Sequence, residues 1–182
     1  MRALFFLTAL AITTNACADN TEKNLPQTVE HNKTEFTLCA QERVSKLWFD
    51  IVDVGIYYQN CNEAEHVFDN KTKLLRFSYL REVEGQQFTE GAIEYLEDNL
   101  SQEEQERCSS HFVELNKVYQ DVSSGDSYDL FLLEDTGLKL YLNGEHLHDM
   151  TEASCHSTYL NVWFGEESMD SQFKDLADKI KN

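Results

Sequence analysis

The residues best suited to bind a metal ion are the histidines of the segment His146-x-His148-Asp149. Two histidines separated by one residue point to the same side of a strand and could share one ion. No motif supplies a third ligand, because His111 and His156 lie in other parts of the sequence. Solvated histidines are also common at the rim of a hairpin. We therefore predict no metal site and no cofactor.

The sequence lacks the short motifs of the common catalytic classes. It has no phosphate-binding loop, no Gly-x-Ser-x-Gly turn and no His-Glu-x-x-His helix. No serine or cysteine has neighbours that indicate a catalytic triad. A pair of acids for glycoside hydrolysis stays open in so acidic a chain, but no spacing singles one out. We predict no catalytic residue from motifs.

The charge balance argues against nucleic acid as a partner. The chain has 33 acidic and 15 basic residues and a net charge of −18. Such a protein is repelled by nucleic acid and by anionic lipid headgroups. The simplest interpretation is an exported soluble protein, and the alternative is an acidic envelope protein whose surface binds a basic partner.

The N-terminal residues are typical of a signal peptide over residues 1–18. Arg2 precedes the apolar stretch Ala3–Ile12, and Ala16-Cys17-Ala18 has the form of a signal-peptidase site. The alternative is a lipoprotein anchored through Cys17. No later stretch is long and apolar enough to be transmembrane. We predict a periplasmic or secreted protein.

Residues 19–33 are polar, contain the one proline and show no periodicity, which predicts a flexible tether. The remaining residues, 34–182, are enough for one domain with a real core.

Four cysteines would remain after removal of the signal peptide: Cys39, Cys61, Cys108 and Cys155. An even number in an exported protein predicts two disulfides, with three possible pairings. Cys108 and Cys155 both fall on predicted helices, and we favour them as one pair. No Cys-x-x-Cys spacing indicates zinc.

The hydrophobic patterns place strands and helices in separate runs. Strands are predicted at 34–38, 47–58, 73–81, 128–133 and 138–142, with residues 39–46 as a turn. Helices are predicted at 86–99, from the Ser101 capping box to about residue 119, at 151–164 and at 170–181. Asn143-Gly144 is a hairpin signal, and Gly165 a helix C-terminus. Segregated elements indicate an α+β fold, an antiparallel sheet covered by a layer of helices.

The predicted strand 47–58 contains three residues of interest. Gly55 inside a strand indicates a bulge or a close approach by another group. Asp50 and Asp53 differ by three positions, so a regular strand would point one of them towards the helices. A local bulge or twist that turns both to solvent is the alternative.

The stretch Leu74–Asn99 runs from a strand through Gly85 into a helix, which predicts a ligand crevice between the sheet and its helical cover.

Several segments of the chain, taken in this order, carry a family resemblance: Leu47–Tyr57, Leu80-Arg81 with the helix of Phe88, Gly125-Asp126-x-Tyr128, Leu140–Gly144 and Val162–Gly165. From about Leu38 to Ile180 the chain resembles the chalcone isomerase-like proteins, especially the bacterial exported branch. The resemblance implies an open-faced β-sandwich.

The resemblance also implies what the crevice lacks. In the plant enzymes a phenolate attacks an enone, with an arginine, a tyrosine, a threonine and an asparagine positioning or stabilising the reacting groups. Their tyrosine position falls on Phe88, their asparagine on Tyr95 and their threonine on Val52. Arg43 is the nearest candidate for the arginine, but its spacing to the strand differs, so the alignment needs a gap. Without these donors, chalcone cyclisation is not expected.

Some members of the family are non-catalytic and bind fatty acids. The resemblance therefore implies a small apolar or amphipathic ligand, such as a fatty acid, whose carboxylate Arg43 or Arg81 would hold. Val52, Phe88 and Tyr95 would line the crevice. The alternative is an isomerase or intramolecular lyase acting on another substrate, with Tyr95 as a relocated donor.

Overall fold

The computed structural model describes residues 25–180, and the predicted signal peptide with Cys17 lies outside them. Seven strands form one antiparallel sheet in which each strand pairs with the next in the chain. They are β1 (Thr28–His31), β2 (Thr34–Lys46), β3 (Phe49–Tyr58), β4 (Lys73–Tyr79), β5 (Ser127–Leu133), β6 (Gly137–Leu142) and β7 (Glu145–Met150).

Helices cover one face of this sheet. They are α1 (Gly85–Asn99), α2 (Gln102–Asn116), α3 (Ala153–Tyr159), α4 (Asn161–Phe164) and α5 (Ser171–Asp178). The arrangement confirms the α+β prediction, an antiparallel sheet with helices on it. No helix between Leu25 and Ile180 has the length and apolar character needed to cross a bilayer.

The main core lies between the sheet and the helices. Alternate residues of β3, namely Val52, Val54 and Ile56, point into it, as the period of a strand requires. The helices contribute buried residues of similar apolar character, among them Leu96, Phe112, Leu160, Trp163 and Leu176.

The opposite face carries a smaller apolar cluster of Phe36, Tyr57, Leu74 and Phe131. The ring of His31 stacks on that of Phe131, with centroids 4.0 Å apart, although β1 and β5 are separated by three strands. This contact requires the sheet to curl, so that β1 approaches β5 on the face opposite the helices.

A bulge in the β2–β3 ladder explains the two aspartates of β3. Val44 pairs with Val52, but Ser45 pairs with Asp50, which leaves one extra residue in β3. Asp50 and Asp53 therefore both reach the guanidinium of Arg43, at 3.2 Å and 2.7 Å. The alternative of a bulge is therefore correct, and the regular strand that would point one of them towards the helices is not. Asp53 is buried in this ion pair, however, so the bulge does not turn both aspartates to solvent.

Two disulfides join elements of the fold. Cys108–Cys155 connects α2 to α3, and Cys39–Cys61 connects β2 to the turn after β3. The favoured pairing of Cys108 with Cys155 is confirmed.

Other boundaries differ from the predictions at the start of the domain. Residues 28–31, assigned to the flexible tether, form a strand paired with β2, and Leu25 is buried. Residues 39–46, assigned to a turn, continue β2. Both segments are polar because one side of each faces solvent, so their composition resembled that of a loop.

Gly55 and Gly165 are both positions where another side chain approaches the backbone closely. A Cβ at Gly55 would lie 3.0 Å from Leu38 and 3.1 Å from Leu25, so the predicted close approach is confirmed. Gly165 ends α4 at φ −66°, not in the left-handed conformation expected of a helix C-terminus. Its Cβ would lie 2.4 Å from the side chain of Asn99, so contact with α1 requires glycine there.

Candidate functional site

A cavity of about 370 Å³ lies between the sheet and the helices. Its sheet side is formed by β2, β3, β4 and β5, and its helical side by α1, α3, α4 and α5. The residues that define its shape are aliphatic and aromatic: Val52, Phe77, Tyr79, Tyr128 and Leu130 from the strands, and Phe88, Ala92, Tyr95, Tyr159, Trp163 and Phe173 from the helices.

Helix α1 forms one wall because of the spacing of its residues. Phe88, Gly91, Ala92 and Tyr95 recur at intervals of three and four, so they share the face that lines the cavity. Gly85 lets this helix start close to the segment before β5. A Cβ there would lie 2.9 Å from the backbone of Gln120, and its N–H donates to Asp121 Oδ1 at 2.7 Å.

Phe88 lies at the centre of an aromatic cluster. Its ring centroid is 5.6 Å from that of Tyr79, 5.5 Å from that of Tyr119 and 5.7 Å from that of Tyr128. The rings of Tyr79 and Tyr128 meet it edge-on, which is a favourable arrangement for aromatic pairs. The cluster gives this end of the cavity a rigid apolar wall.

The tyrosine hydroxyls of the cavity differ in their partners. The Tyr159 hydroxyl donates to Asn116 Oδ1 at 2.6 Å and lies 3.3 Å from the Tyr119 hydroxyl. The Tyr128 hydroxyl donates to the carbonyl of Gln120 at 3.0 Å and accepts from its N–H at 2.7 Å. The hydroxyl of Tyr79 has no hydrogen-bond partner among residues 25–180.

Burial keeps these hydroxyls protonated. It raises the pKa of Tyr79, Tyr119 and Tyr159 well above the ordinary value, because a phenolate would lose its solvation there. The hydroxyls can therefore donate or accept hydrogen bonds at neutral pH, but they are not present as phenolates that could act as bases. The interior of the cavity thus offers polar groups without charge, and the charged residues of the lining lie at its mouth.

The structure brings three of the five predicted ligand residues together. Val52, Phe88 and Tyr95 line the cavity, on β3 and on α1.

Arg43 and Arg81 are not among the lining residues. Side chains alternate along β2, and Val44 points into the cavity, so the side chain of its neighbour Arg43 lies on the opposite face of the sheet. There it donates two hydrogen bonds to Asp53, at 2.7 and 2.8 Å. The guanidinium of Arg81 lies over the ring of Phe49, 4.3 Å from its centroid. Neither side chain is placed to hold a carboxylate inside the cavity.

Several lining residues were missed in the sequence. Phe77 and Tyr79, like Tyr128 and Leu130, alternate along their strands, and Tyr159 and Trp163 are four residues apart. These periods indicate one face each, but they do not say which faces meet across a cavity. That information lies in the pairing of β4 with β5 and in the packing of α4 on α1.

Polar residues occupy the mouth. Lys46, Gln87 and Glu94 are exposed, and Asp170 accepts from the N–H of Gln172 at 3.0 Å as the N-cap of α5. Lys46 is the cation of this rim, and neither it nor Glu94 has an ion pair within the part of the chain that the structure describes. An anionic group at the mouth would meet one cation, Lys46, and the carboxylates of Glu94 and Asp170.

No group of three or more His, Cys, Asp or Glu residues suited to a metal ion occurs among residues 25–180. In the segment considered from the sequence, His146 Nε2 lies 2.7 Å from Asp149 Oδ1, a pair at the exposed surface.

Comparison with known proteins agrees with this architecture. A family model described as chalcone isomerase-like matches residues 18–176. A solved structure of a fatty-acid binding protein from Arabidopsis thaliana superposes with a TM-score of 0.58 at 14% sequence identity, and covers 84% of this chain and 95% of that chain. No curated protein matches the sequence. The chain belongs to the chalcone isomerase-like family.

Proposed function

We propose that this protein is an exported binding protein that holds a small apolar or amphipathic ligand, such as a fatty acid, and does not cyclise chalcones. The observation that carries the proposal is the cavity itself, an aromatic space of about 370 Å³ in which the hydroxyls of Tyr79 and Tyr95 have no hydrogen-bond partner within the described residues. Its volume lies in the range of roughly 300–1,000 Å³ typical of small-molecule sites.

The Tyr79 hydroxyl supports a ligand with one polar group. A ligand that fills the cavity would exclude water from this hydroxyl, and leaving it unpaired would then cost about 1–3 kcal/mol. A carbonyl, carboxyl or hydroxyl oxygen of the ligand that accepts from it would avoid that cost. The rest of the ligand would contact aromatic and aliphatic walls. An apolar body with a single polar end is the chemistry of a fatty acid or a small aromatic ketone.

The absence of activity is proposed from the residues at the reacting positions. Phe88 and Val52 have no group that can stabilise a developing negative charge, and Arg43 is bound to Asp53 on the other face of the sheet. Loss of one preorganised donor can cost about 3–4 kcal/mol of transition-state stabilisation. The isomerase alternative needs Tyr95 and an arginine at one pocket, and neither Arg43 nor Arg81 lines it.

Two further observations support parts of the proposal. The Arabidopsis protein that shares the fold is a fatty-acid binding protein, which favours binding over catalysis. The two disulfides favour an oxidising compartment, hence export. The acidic envelope protein remains the alternative, and a salt-dependent capture of one basic partner would favour it.

Native mass spectrometry of the purified protein with offered fatty acids and flavonoids tests the ligand. We expect one bound molecule for the wild type and none for Ala92→Trp, which would place an indole in the cavity. Ile93→Trp is the matched control, because Ile93 is exposed on the same helix. A wild type that takes up nothing, or an Ala92→Trp variant that binds like the control, would overturn the proposal.

A further inference from the structure

The loop between β2 and β3 exposes three consecutive apolar side chains. Leu47 is 84% exposed, Trp48 is 89% exposed and Phe49 is 48% exposed. We refer to residues 46–49 as the hairpin tip. The other large exposed apolar residues of the described chain, Ile93 and Val113, lie singly on α1 and α2. Scattered single residues need no explanation, but three in succession at the end of a hairpin indicate a contact surface.

The backbone of the hairpin tip is unusual for the residues that it carries. Lys46 pairs with Phe49, so Leu47 and Trp48 form a two-residue turn. Leu47 has φ 58°, a left-handed conformation that asparagine or glycine would adopt more easily. Turn chemistry alone would therefore place other residues here. The large apolar side chains are present in spite of the local backbone preference.

The hairpin tip adjoins the mouth of the cavity. Lys46, its first residue, and Ile51, two residues beyond it, both line the cavity, whereas Leu47, Trp48 and Phe49 do not. A surface that covered the exposed side chains would therefore also cover the mouth. The position links an apolar docking surface to an apolar site.

Two cations lie beside the apolar side chains of the hairpin tip. Lys46 has no ion pair among the described residues, and the Arg81 guanidinium lies over the Phe49 ring. The neighbouring carboxylate of Asp50 accepts from Ser45 Oγ at 2.7 Å and from Arg43 at 3.2 Å, and Arg43 shares its one charge between Asp50 and Asp53. Cations are thus present at the hairpin tip although the whole chain has a net charge of −18.

We propose that the hairpin tip inserts into the interfacial region of a lipid bilayer. Tryptophan with flanking lysine and arginine is the composition of membrane-interface anchors, because the ring sits at headgroup level and the cations meet the lipid phosphates. The charge of the whole molecule favours a zwitterionic surface over an anionic one. The consequence, that ligand enters or leaves through the docked mouth, rests on the proposed function.

Flotation with phosphatidylcholine vesicles tests the proposal on the full-length mature protein. We expect the wild type to float with the vesicles and the double variant Leu47→Asn/Trp48→Ser to lose at least about tenfold in partitioning. Asparagine suits the left-handed position, so this variant keeps the turn. Val113→Ser, which removes an exposed apolar side chain from α2, is the control and should float like the wild type.

A second measurement uses the tryptophan spectrum. The chain has two tryptophans, and Trp163 is buried at the cavity. Vesicles should shift the emission of the wild type to shorter wavelength, and the shift should be absent in the double variant. No flotation by the wild type, or equal flotation by the double variant, would overturn the proposal. So would a wild-type dimer in lipid-free sedimentation that the double variant abolishes, because the hairpin tip would then bind a second copy.

Ligand uptake without vesicles separates the two proposals. The hairpin-tip side chains at 47–49 do not line the cavity, so the double variant should take up offered fatty acid in solution as the wild type does. Vesicle binding without any uptake by the wild type would contradict the proposed function and support the docking surface. Uptake without vesicle binding would support the proposed function and contradict the docking surface.

Discussion

Single side chains decide the chemistry of the cavity. Phe88 contributes a ring at the centre of the aromatic cluster, and Val52 and Tyr95 lie on its sheet and helix walls. Tyr79 contributes a neutral hydroxyl, since burial raises its pKa well above the ordinary value. These residues give the cavity apolar walls and a neutral hydrogen-bonding group but no charge, and such a lining is suited to ligand binding.

Removal of the Tyr79 hydroxyl should weaken ligand binding without loss of stability. We expect Tyr79→Phe to reduce the affinity for a ligand with a polar oxygen up to about tenfold, the worth of one hydrogen bond. Its free energy of unfolding should stay constant or rise, because no partner among residues 25–180 is lost. Isothermal titration calorimetry and urea unfolding measure the two quantities.

Tyr128→Phe is the matched control. It also removes a hydroxyl from the aromatic cluster, but this hydroxyl bonds the backbone of Gln120 twice. We expect its free energy of unfolding to fall by about 1–3 kcal/mol. If Tyr79→Phe destabilised the protein as much as Tyr128→Phe did, the Tyr79 hydroxyl would have a structural partner and not a ligand.

At the scale of elements, the cavity depends on how α1 meets the chain after α4. Asn99, the last residue of α1, donates to the carbonyl of Glu167 at 2.8 Å and accepts from its N–H at 2.9 Å. Gly165 packs against the same side chain. These contacts hold one end of α1, whose other end is held by Gly85.

We expect Gly165→Ala to destabilise the fold by about 1–3 kcal/mol, as overpacking in a close contact does. Its Cβ would lie 2.4 Å from the Asn99 side chain, so the contact between α1 and this segment would have to open. Thermal or urea unfolding measures the change.

Gly91→Ala provides the contrast on the same helix. Its Cβ would meet the end of the Met169 side chain at 2.8 Å, which can move, and alanine favours a helix interior by about 1 kcal/mol. We expect equal or greater stability. A Gly165→Ala variant as stable as Gly91→Ala would show that the Asn99 contact does not hold α1.

For the whole molecule, the distribution of charge governs the response to acid. Most carboxylates are exposed, but Asp69 is buried with Lys73, whose Nζ lies 2.6 Å from Asp69 Oδ1 and 2.7 Å from the carbonyl of Val67. Burial alone would raise the pKa of Asp69, but hydrogen bonds from Lys73, Glu65 N and Lys71 N more than offset it, and the pKa is lowered.

The lowered pKa predicts a loss of stability in acid. A carboxyl group whose pKa is lower in the folded state stabilises the fold above its unfolded pKa of about 3.9, and this contribution is lost as the pH falls through the folded value. We expect the free energy of unfolding in urea to decrease below about pH 4.

Asp69→Asn isolates this contribution. It should cost about 3–5 kcal/mol at neutral pH, because Lys73 is left buried without its counter-charge, and it should flatten the acid limb. Asp98→Asn, an exposed change on α1, controls for the loss of one carboxylate. A profile for Asp69→Asn parallel to that of the wild type would contradict the assignment.

The sequence by itself indicated the fold class, the capping box at Ser101 and the family, and among three possible disulfide pairings it favoured that of Cys108 with Cys155. Each depends on local patterns or on residues that recur in order along the chain. The family resemblance also placed Phe88, Val52 and Tyr95 in the crevice, and all three line the cavity on α1 and β3.

Only the tertiary structure decided where each arginine lies relative to the cavity and which side chains line the cavity. One extra residue in β3 turned Asp50 and Asp53 together onto Arg43, and strand alternation then put that ion pair behind the sheet. Two other features also depend on long-range packing: the Tyr79 hydroxyl without a partner among residues 25–180, and the position of Trp48 beside the mouth. Local sequence patterns fix the face of an element, but the register between strands and the contacts between layers fix what that face meets.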